Sequence, residues 1–130
     1  EVVETDGNVR LVMKDWPIFG APSVRAAQLA LGAASLGRYE AANTALMETE
    51  GKLDDHLIEE TLNLADFDID ELDKAYRGER DKWDGLLSRN SEQASLIGLR
   101  GTPAFIVGET LYPGALDAKT LREAVAAARS

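Results

Sequence analysis

The chain has 130 residues, 45% of them hydrophobic, which suits one compact domain with a core of its own. No apolar run approaches the roughly 18 residues that a membrane-spanning helix needs, so no membrane span is expected. The net charge of −9 disfavours nucleic-acid binding, and the absence of cysteine excludes a disulfide, a thiolate metal site and a cysteine nucleophile within these residues.

The first predicted elements are a helix end and a strand. Glu1–Thr5 is typical of the last turn of a helix, and Asp6 and Gly7 form a turn after it. Asn8–Trp16 then alternates apolar and polar residues, which predicts a strand. Trp16–Gly20 ends that strand, because the residue before a proline stays extended and a glycine permits a sharp change of direction.

Helical spacing of apolar residues predicts a long helical region between Pro22 and Leu99. Asp54 and Asp68 stand at helix starts, where a carboxylate caps free backbone N–H groups. The predicted helices are Pro22–Gly37, Arg38–Glu48, Leu53–Leu64 and Ile69–Leu99, the last broken near Gly78. The expected core residues on them include Val24, Leu31, Ala42, Met47, Ile58, Leu62, Leu72, Tyr76, Trp83, Ala94 and Ile97. The acidic residues concentrate between Glu48 and Asp84, as on a solvated helical face.

The last part of the chain predicts a hairpin followed by a helix. Ala104–Val107 is apolar and rich in β-branched residues, which indicates a buried strand. Thr110–Tyr112 follows across a two-residue connection, the spacing of a β-hairpin. Asp117 begins a final helix, and the whole order is an α/β or α+β layer with a helical insertion.

The loop Gly101–Thr102–Pro103 is the strongest candidate for a binding site. Pro103 has no backbone donor and keeps Thr102 extended, so Thr102 presents free peptide groups where the strand begins. A strand of this kind can dock a peptide through its backbone. From these residues alone, the simpler interpretation is a trans proline that only opens a strand.

Other candidate sites are weak. His56 is the only histidine and lacks a second strong ligand, which favours a solvated residue in the first turn of a helix. Asp66, Asp68 and Asp70 imitate the start of a calcium loop, but its glycine and its final glutamate are absent. We expect no metal, no cofactor and no catalytic residue within this chain.

Three motifs resemble the DsbA-like thiol–disulfide oxidoreductases of the thioredoxin superfamily. Lys14–Gly20 with Ser23 is similar to that family's strand exit into its helical insertion. Gly98–Gly108 resembles the family's cis-proline loop and the strand after it. Tyr112–Leu116 resembles the end of the hairpin before the last helix. In this order the motifs span nearly the whole chain.

The resemblance implies a thioredoxin-like fold interrupted by a helical domain. Residues 1–19 and 99–130 then form the thioredoxin-like part, and residues 20–98 form the helical insertion. The family's first strand, its CxxC motif and most of its first helix are expected before Glu1. That strand lies between those at Val9 and Phe105, so without it the two would not be neighbours. We expect the natural protein to continue upstream; the alternative is a second chain or a swapped element that completes the sheet.

The resemblance also implies a role for the loop. Thr102, Pro103 and Gly101 are the expected substrate-binding residues, since in the family the cis-proline loop faces the CxxC pair and holds the substrate chain. The expected partners are cysteine-containing protein substrates and a redox partner protein, in the periplasm or outside the cell. Without a cysteine, these residues alone cannot exchange thiols.

Two other functions stay open at this point. The first is a cysteine-free thioredoxin-like domain that uses the loop only to bind peptides or to dimerise. The second is a glutathione-binding relative, in which a serine replaces the CxxC pair. Whether the parent protein oxidises, reduces or isomerises disulfides depends on residues outside this sequence.

Overall fold

The computed structural model describes all residues from 1 to 130. The helices and strands follow one another as α1 (Val2–Asp6), α2 (Ala21–Ser35), α3 (Tyr39–Met47), α4 (Asp55–Leu64), α5 (Ile69–Gly78), α6 (Arg80–Leu96), β1 (Ala104–Val107), β2 (Thr110–Pro113) and α7 (Ala118–Ala128). The predicted break near Gly78 is confirmed, and the predicted caps Asp54, Asp68 and Asp117 each accept a backbone N–H through the side chain.

The chain divides into two compact units. The terminal unit consists of Glu1–Lys14 and Glu92–Ser130, and the helical unit consists of Asp15–Ser91. The proposed division into 1–19 with 99–130 and 20–98 stays a prediction. No helix in the chain combines the length and the apolar character that crossing a bilayer requires.

The helical unit has a core between α2, α3, α4 and α5. Its fully enclosed side chains include Leu29, Ala42, Ile58, Leu62 and Leu72. A second cluster joins Leu31, Tyr76 and Trp83. These burials confirm the helical spacing read from the sequence, except that Val24 and Met47 are 38% and 72% exposed.

In the terminal unit, β1 and β2 form an antiparallel hairpin, and α7 packs against β1. The hairpin turn has Gly108 at φ 62°, the conformation that a type II′ turn needs at its first central residue. The last turn of α7 lies close by, because a Cβ added to Gly108 would come 2.9 Å from Cβ of Ala128. The side chains of Arg129 and Asp6 join the ends of α7 and α1 by two hydrogen bonds of 2.6 and 2.8 Å.

The predicted strand over Asn8–Trp16 is wrong. These residues have no regular secondary structure, and the chain's sheet consists of β1 and β2 alone. A strand needs a neighbouring strand for its N–H and C=O groups, and neither β1 nor β2 pairs with this segment. As a result Leu11, Val12 and Met13 are 60%, 56% and 49% exposed.

Two burial predictions also need correction. The strand β1 is present, but it is only half-buried, and Ile106 is 59% exposed. Ile97, which directly follows the end of α6, is 45% exposed, and Leu96 within the helix is 85% exposed. Periodicity shows which side chains share a face, but it does not show whether another element covers that face.

Candidate functional site: the loop before β1

The loop begins at the C-terminus of α6, which is capped by two backbone hydrogen bonds. Gly98 has φ 74°, and its N–H donates to the carbonyl of Ser95 at 3.1 Å. The N–H of Leu99 donates to the carbonyl of Ala94 at 2.9 Å. Together these bonds form a Schellman motif, which glycine permits at the left-handed position. The position of Leu99 is therefore fixed by α6.

The loop ends at a second fixed point. The carbonyl of Pro103 accepts the N–H of Gly114 at 3.0 Å, which extends the hairpin by one bond beyond β1. Gly114 has φ 87°, a backbone angle that favours glycine. The peptide bond between Thr102 and Pro103 is cis. Arg100, Gly101 and Thr102 thus form a short span held at both ends.

Thr102 is an exposed residue of this span that directly precedes Pro103 and β1. Both Thr102 and Pro103 are exposed, whereas Gly101 is half-buried. Thr102 makes no hydrogen bond within the chain, either through its backbone or through its hydroxyl. Its N–H and C=O are therefore available to an extended peptide.

Beyond the loop, β1 has one paired edge and one open edge. Phe105 faces Tyr112 and Val107 faces Thr110 across the hairpin. Hydrogen-bonded and non-bonded pairs alternate in an antiparallel ladder, and the bond from Gly114 to Pro103 fixes which pairs are bonded. It follows that the N–H and C=O groups of Ala104 and Ile106 point away from β2.

The open edge continues into an exposed apolar face. Ile106 and Leu111 are opposite each other in the register and so lie on the same face of the hairpin. They are 59% and 38% exposed. Phe105, Val107 and Tyr112, on the other face, are half-buried.

Charged groups are sparse in this part of the chain. Between Ile97 and Asp117 the only ionisable side chains with a charge at neutral pH are those of Arg100, Glu109 and Asp117. The pKa of the Asp117 carboxyl is lowered, chiefly by its hydrogen bonds with Thr120 at the start of α7. Asp117 is therefore a helix cap, while Arg100 is exposed and makes no hydrogen bond or ion pair.

The other candidates from the sequence form no site. His56 is exposed and lies 3.8 Å from Glu60 of the next helical turn, as expected for a solvated residue. Asp68 caps α5. No group of three or more histidine, cysteine, aspartate or glutamate side chains is arranged to hold a metal ion. Tyr76 and Trp83 are core residues of the helical unit, as expected.

The family model of the DSBA-like thioredoxin domain matches residues 2–126. The chain belongs to this family. The thioredoxin-like DsbA fold predicted from the motifs is confirmed, with a small two-stranded antiparallel sheet in this chain. A search of curated proteins gave no match.

Several solved structures share the DsbA-like fold. A thioredoxin-like oxidoreductase from Silicibacter pomeroyi DSS-3 is 34% identical, with a TM-score of 0.90; the match covers 98% of this chain and 73% of that one. The thiol-disulfide exchange protein alpha-DsbA2 from Wolbachia pipientis is 27% identical, with a TM-score of 0.85 and coverage of 95% and 67%. The catalytic domain of Proteus mirabilis ScsC is 26% identical, with a TM-score of 0.81 and coverage of 98% and 69%.

The structure places the three predicted DsbA-like site residues, Gly101, Thr102 and Pro103, in one loop. It also shows that the backbone groups of Ala104 and Ile106 form an open edge of β1, in line with the expectation that the strand beside Phe105 is missing from these residues. Alternation alone assigns these residues to a strand, but it cannot tell an edge strand from a central one. Their role in binding stays a prediction.

Proposed function

We propose that this chain is part of a DsbA-like thiol–disulfide oxidoreductase and supplies the surface that holds the substrate peptide. The observation that carries the proposal is the exposed Thr102, whose N–H and C=O are unpaired at the entrance to β1. Membership of the DSBA-like family and the likeness to a thiol-disulfide exchange protein support it. Gly101 and Pro103 fix the path of the loop around Thr102.

The chemistry needs cysteines from outside these 130 residues, which contain none. A thiolate of a CxxC pair attacks one sulfur of a substrate disulfide; the substrate S–S bond breaks, a mixed disulfide forms and the other substrate sulfur leaves as a thiolate. The second thiolate of the pair then attacks the mixed disulfide. Two electrons pass to the substrate, and the reverse sequence oxidises it. In this account Thr102 holds the substrate backbone in line with the attacking sulfur.

The proposed partners follow from this chemistry. The substrates are proteins that carry cysteines, and a separate redox protein restores the CxxC pair after each cycle. Disulfides persist in oxidising compartments, which favours the periplasm or the cell exterior as the location. The segment that carries the CxxC pair is proposed to complete the open edge of β1.

A second candidate is a domain that binds peptides without exchanging thiols. A parent protein without cysteine upstream of Glu1 would favour it. Both candidates use the same loop, and they differ in whether a CxxC pair faces it. A glutathione-binding function would instead give saturable binding of glutathione at Thr102.

Peptide docking can be tested with the 130-residue chain itself. The probe is an extended decapeptide with a central S-methylcysteine, which cannot react, and backbone amide signals are followed by NMR during the titration. We expect the largest shifts at Thr102, Ala104 and Ile106, because these residues have free backbone groups.

A matched probe with an N-methyl group on the central residue is the control. It keeps every side chain but removes one backbone donor, so its affinity should fall by about two- to tenfold, the effect of one hydrogen bond. Equal affinity of the two probes, or shifts confined to the helical unit, would contradict the proposal. A titration with glutathione in the same assay tests the remaining alternative.

A further inference from the structure

Arg100 is an exposed cation whose side chain has no polar or aromatic partner within the chain. Its side chain forms no ion pair, no hydrogen bond and no contact with an aromatic ring. Two other arginines of the terminal unit have partners, since Arg122 lies 3.3 Å from Glu1 and Arg129 binds Asp6, whereas Arg10 is exposed and unpaired like Arg100. Stability therefore does not explain why a guanidinium occupies this position.

The position of Arg100 relative to the proposed docking point is fixed by the backbone. It directly follows Leu99, whose N–H is held by Ala94, and it precedes Pro103, whose carbonyl is held by Gly114. Two virtual bonds of about 3.8 Å separate its Cα from that of Thr102, so the two atoms lie at most about 7.6 Å apart. An arginine side chain can span that distance.

No carboxylate on the hairpin or on the start of α7 competes for this guanidinium. Asp117 is hydrogen-bonded to Thr120 at the N-terminus of α7. Glu109 lies in the turn at the other end of β1, and four strand residues at about 3.3 Å each place it roughly 13 Å or more along the strand. The loop end of the hairpin therefore has one uncommitted positive charge.

We propose that Arg100 makes this loop select acidic peptides. It would bind a carboxylate side chain located within two residues of the substrate residue that pairs with Thr102. A guanidinium suits this role because its donors match the two oxygens of a carboxylate. The inference rests on the proposed function, since it assumes that a peptide docks at Thr102.

The charge of the whole chain works against this preference. At −9 the chain repels acidic peptides at long range, and that repulsion is screened beyond about 8 Å at physiological ionic strength. A measured preference for an acidic peptide must therefore come from a nearby cation.

The test compares three S-methylcysteine decapeptides that differ only in the residue after the central position, which is Asp, Asn or Lys. Affinities are measured by NMR titration for the unmodified chain, for Arg100→Glu and for Arg89→Glu. Arg89 is exposed on α6 in the helical unit, so its replacement changes the net charge equally and serves as the matched control.

The unmodified chain should bind the Asp peptide about two- to fivefold more tightly than the Asn peptide, as expected for an exposed ion pair. Arg100→Glu should invert the order and favour the Lys peptide, while Arg89→Glu should keep the original order. The inference is overturned if Arg100→Glu leaves the order unchanged, or if Arg89→Glu inverts it as well.

The proposed function can fail separately in this assay. If all three peptides bind and shift Thr102 but show no charge preference, only the role of Arg100 is refuted. If none of them shifts Thr102, docking at the loop is refuted, and with it the selection by Arg100. Because the Arg100 side chain makes no hydrogen bond, ion pair or ring contact, the amide spectrum of the free variant should stay unchanged outside the loop.

Discussion

At the scale of single residues, two carboxylates of the helical unit differ in their surroundings. The Tyr39 hydroxyl donates to both oxygens of the half-buried Asp15 at 2.9 and 3.0 Å, but no cation is paired with it. Burial raises the pKa of Asp15 above its usual 3.8, and the hydrogen bond from Tyr39 only partly offsets this. By contrast, the hydrogen bonds from Arg25 lower the pKa of Asp73.

Asp15→Asn should therefore change how stability depends on pH. When an acid's pKa is raised by folding, its stabilising contribution is complete below the unfolded pKa and is lost as pH rises through the folded value. The variant should gain stability relative to the unmodified chain as pH rises above the unfolded pKa of about 3.9, because asparagine accepts from Tyr39 without ionising. Urea unfolding followed by tryptophan fluorescence measures this, since Trp16 and Trp83 both lie in the helical unit.

Asp73→Asn is the control, because its effect on stability should depend on pH in the opposite direction. Arg25 lowers the pKa of Asp73, so the unmodified chain should hold its advantage over this variant at pH 7 and lose it as pH falls. A parallel pH response of the two variants would show that the surroundings of Asp15 do not destabilise its charge.

At the scale of elements, the close approach of α2 and α5 depends on a glycine. Gly32 lies in the middle of α2, where glycine usually weakens a helix. A Cβ added there would come 2.3 Å from the backbone carbonyl oxygen of Leu72 on α5. Leu72 belongs to the core of the helical unit, so the two helices cannot separate without disturbing that core.

Gly32→Ala should destabilise the helical unit by about 1–3 kcal/mol, the usual cost of overpacking. Gly85→Ala on α6 is the matched control, because its Cβ would meet only the flexible end of Arg89, at 3.2 Å. That change should stabilise the protein by about 0.5–1 kcal/mol through helix propensity. The comparison uses urea unfolding with the same tryptophan signal, and equal effects of both substitutions would contradict the packing argument.

At the scale of the whole molecule, features that depend only on residues close in sequence were predicted correctly. A feature that needs a partner far along the chain was not. The caps Asp54, Asp68 and Asp117 were predictable because a cap and its N–H groups lie within three residues. The segment Asn8–Trp16 was not, because alternation is necessary for a strand but a partner must also be present.

The same difference applies to the candidate site. The loop Gly101–Thr102–Pro103 and the hairpin after it follow from glycine and proline at fixed offsets. The open edge of β1 was expected through the family resemblance, which places a missing strand beside Phe105. That the unpaired groups belong to Ala104 and Ile106, and that Arg100 has no partner, depends on surroundings that only the structure describes. The sequence could show that Arg100 is basic but not that it lacks a partner.

The measurement that tests peptide docking most directly introduces one cysteine at a time. Because the chain has no cysteine of its own, every reaction with a thiol then reports on the introduced position. Thr102→Cys and Ser88→Cys each introduce a single thiol at an exposed position, the second on α6 in the helical unit. Each thiolate attacks a mixed disulfide of a peptide cysteine with thionitrobenzoate; the peptide is captured and thionitrobenzoate leaves, which absorbance records. The small disulfide of two thionitrobenzoates corrects for the intrinsic reactivity of each thiol.

We expect the corrected rate with the peptide to be at least about tenfold higher at position 102 than at position 88, because docking raises the local concentration of the peptide disulfide. The N-methylated peptide should lose most of that advantage. Equal corrected rates at the two positions would contradict docking at Thr102 and, with it, the proposed role of this loop in thiol–disulfide exchange.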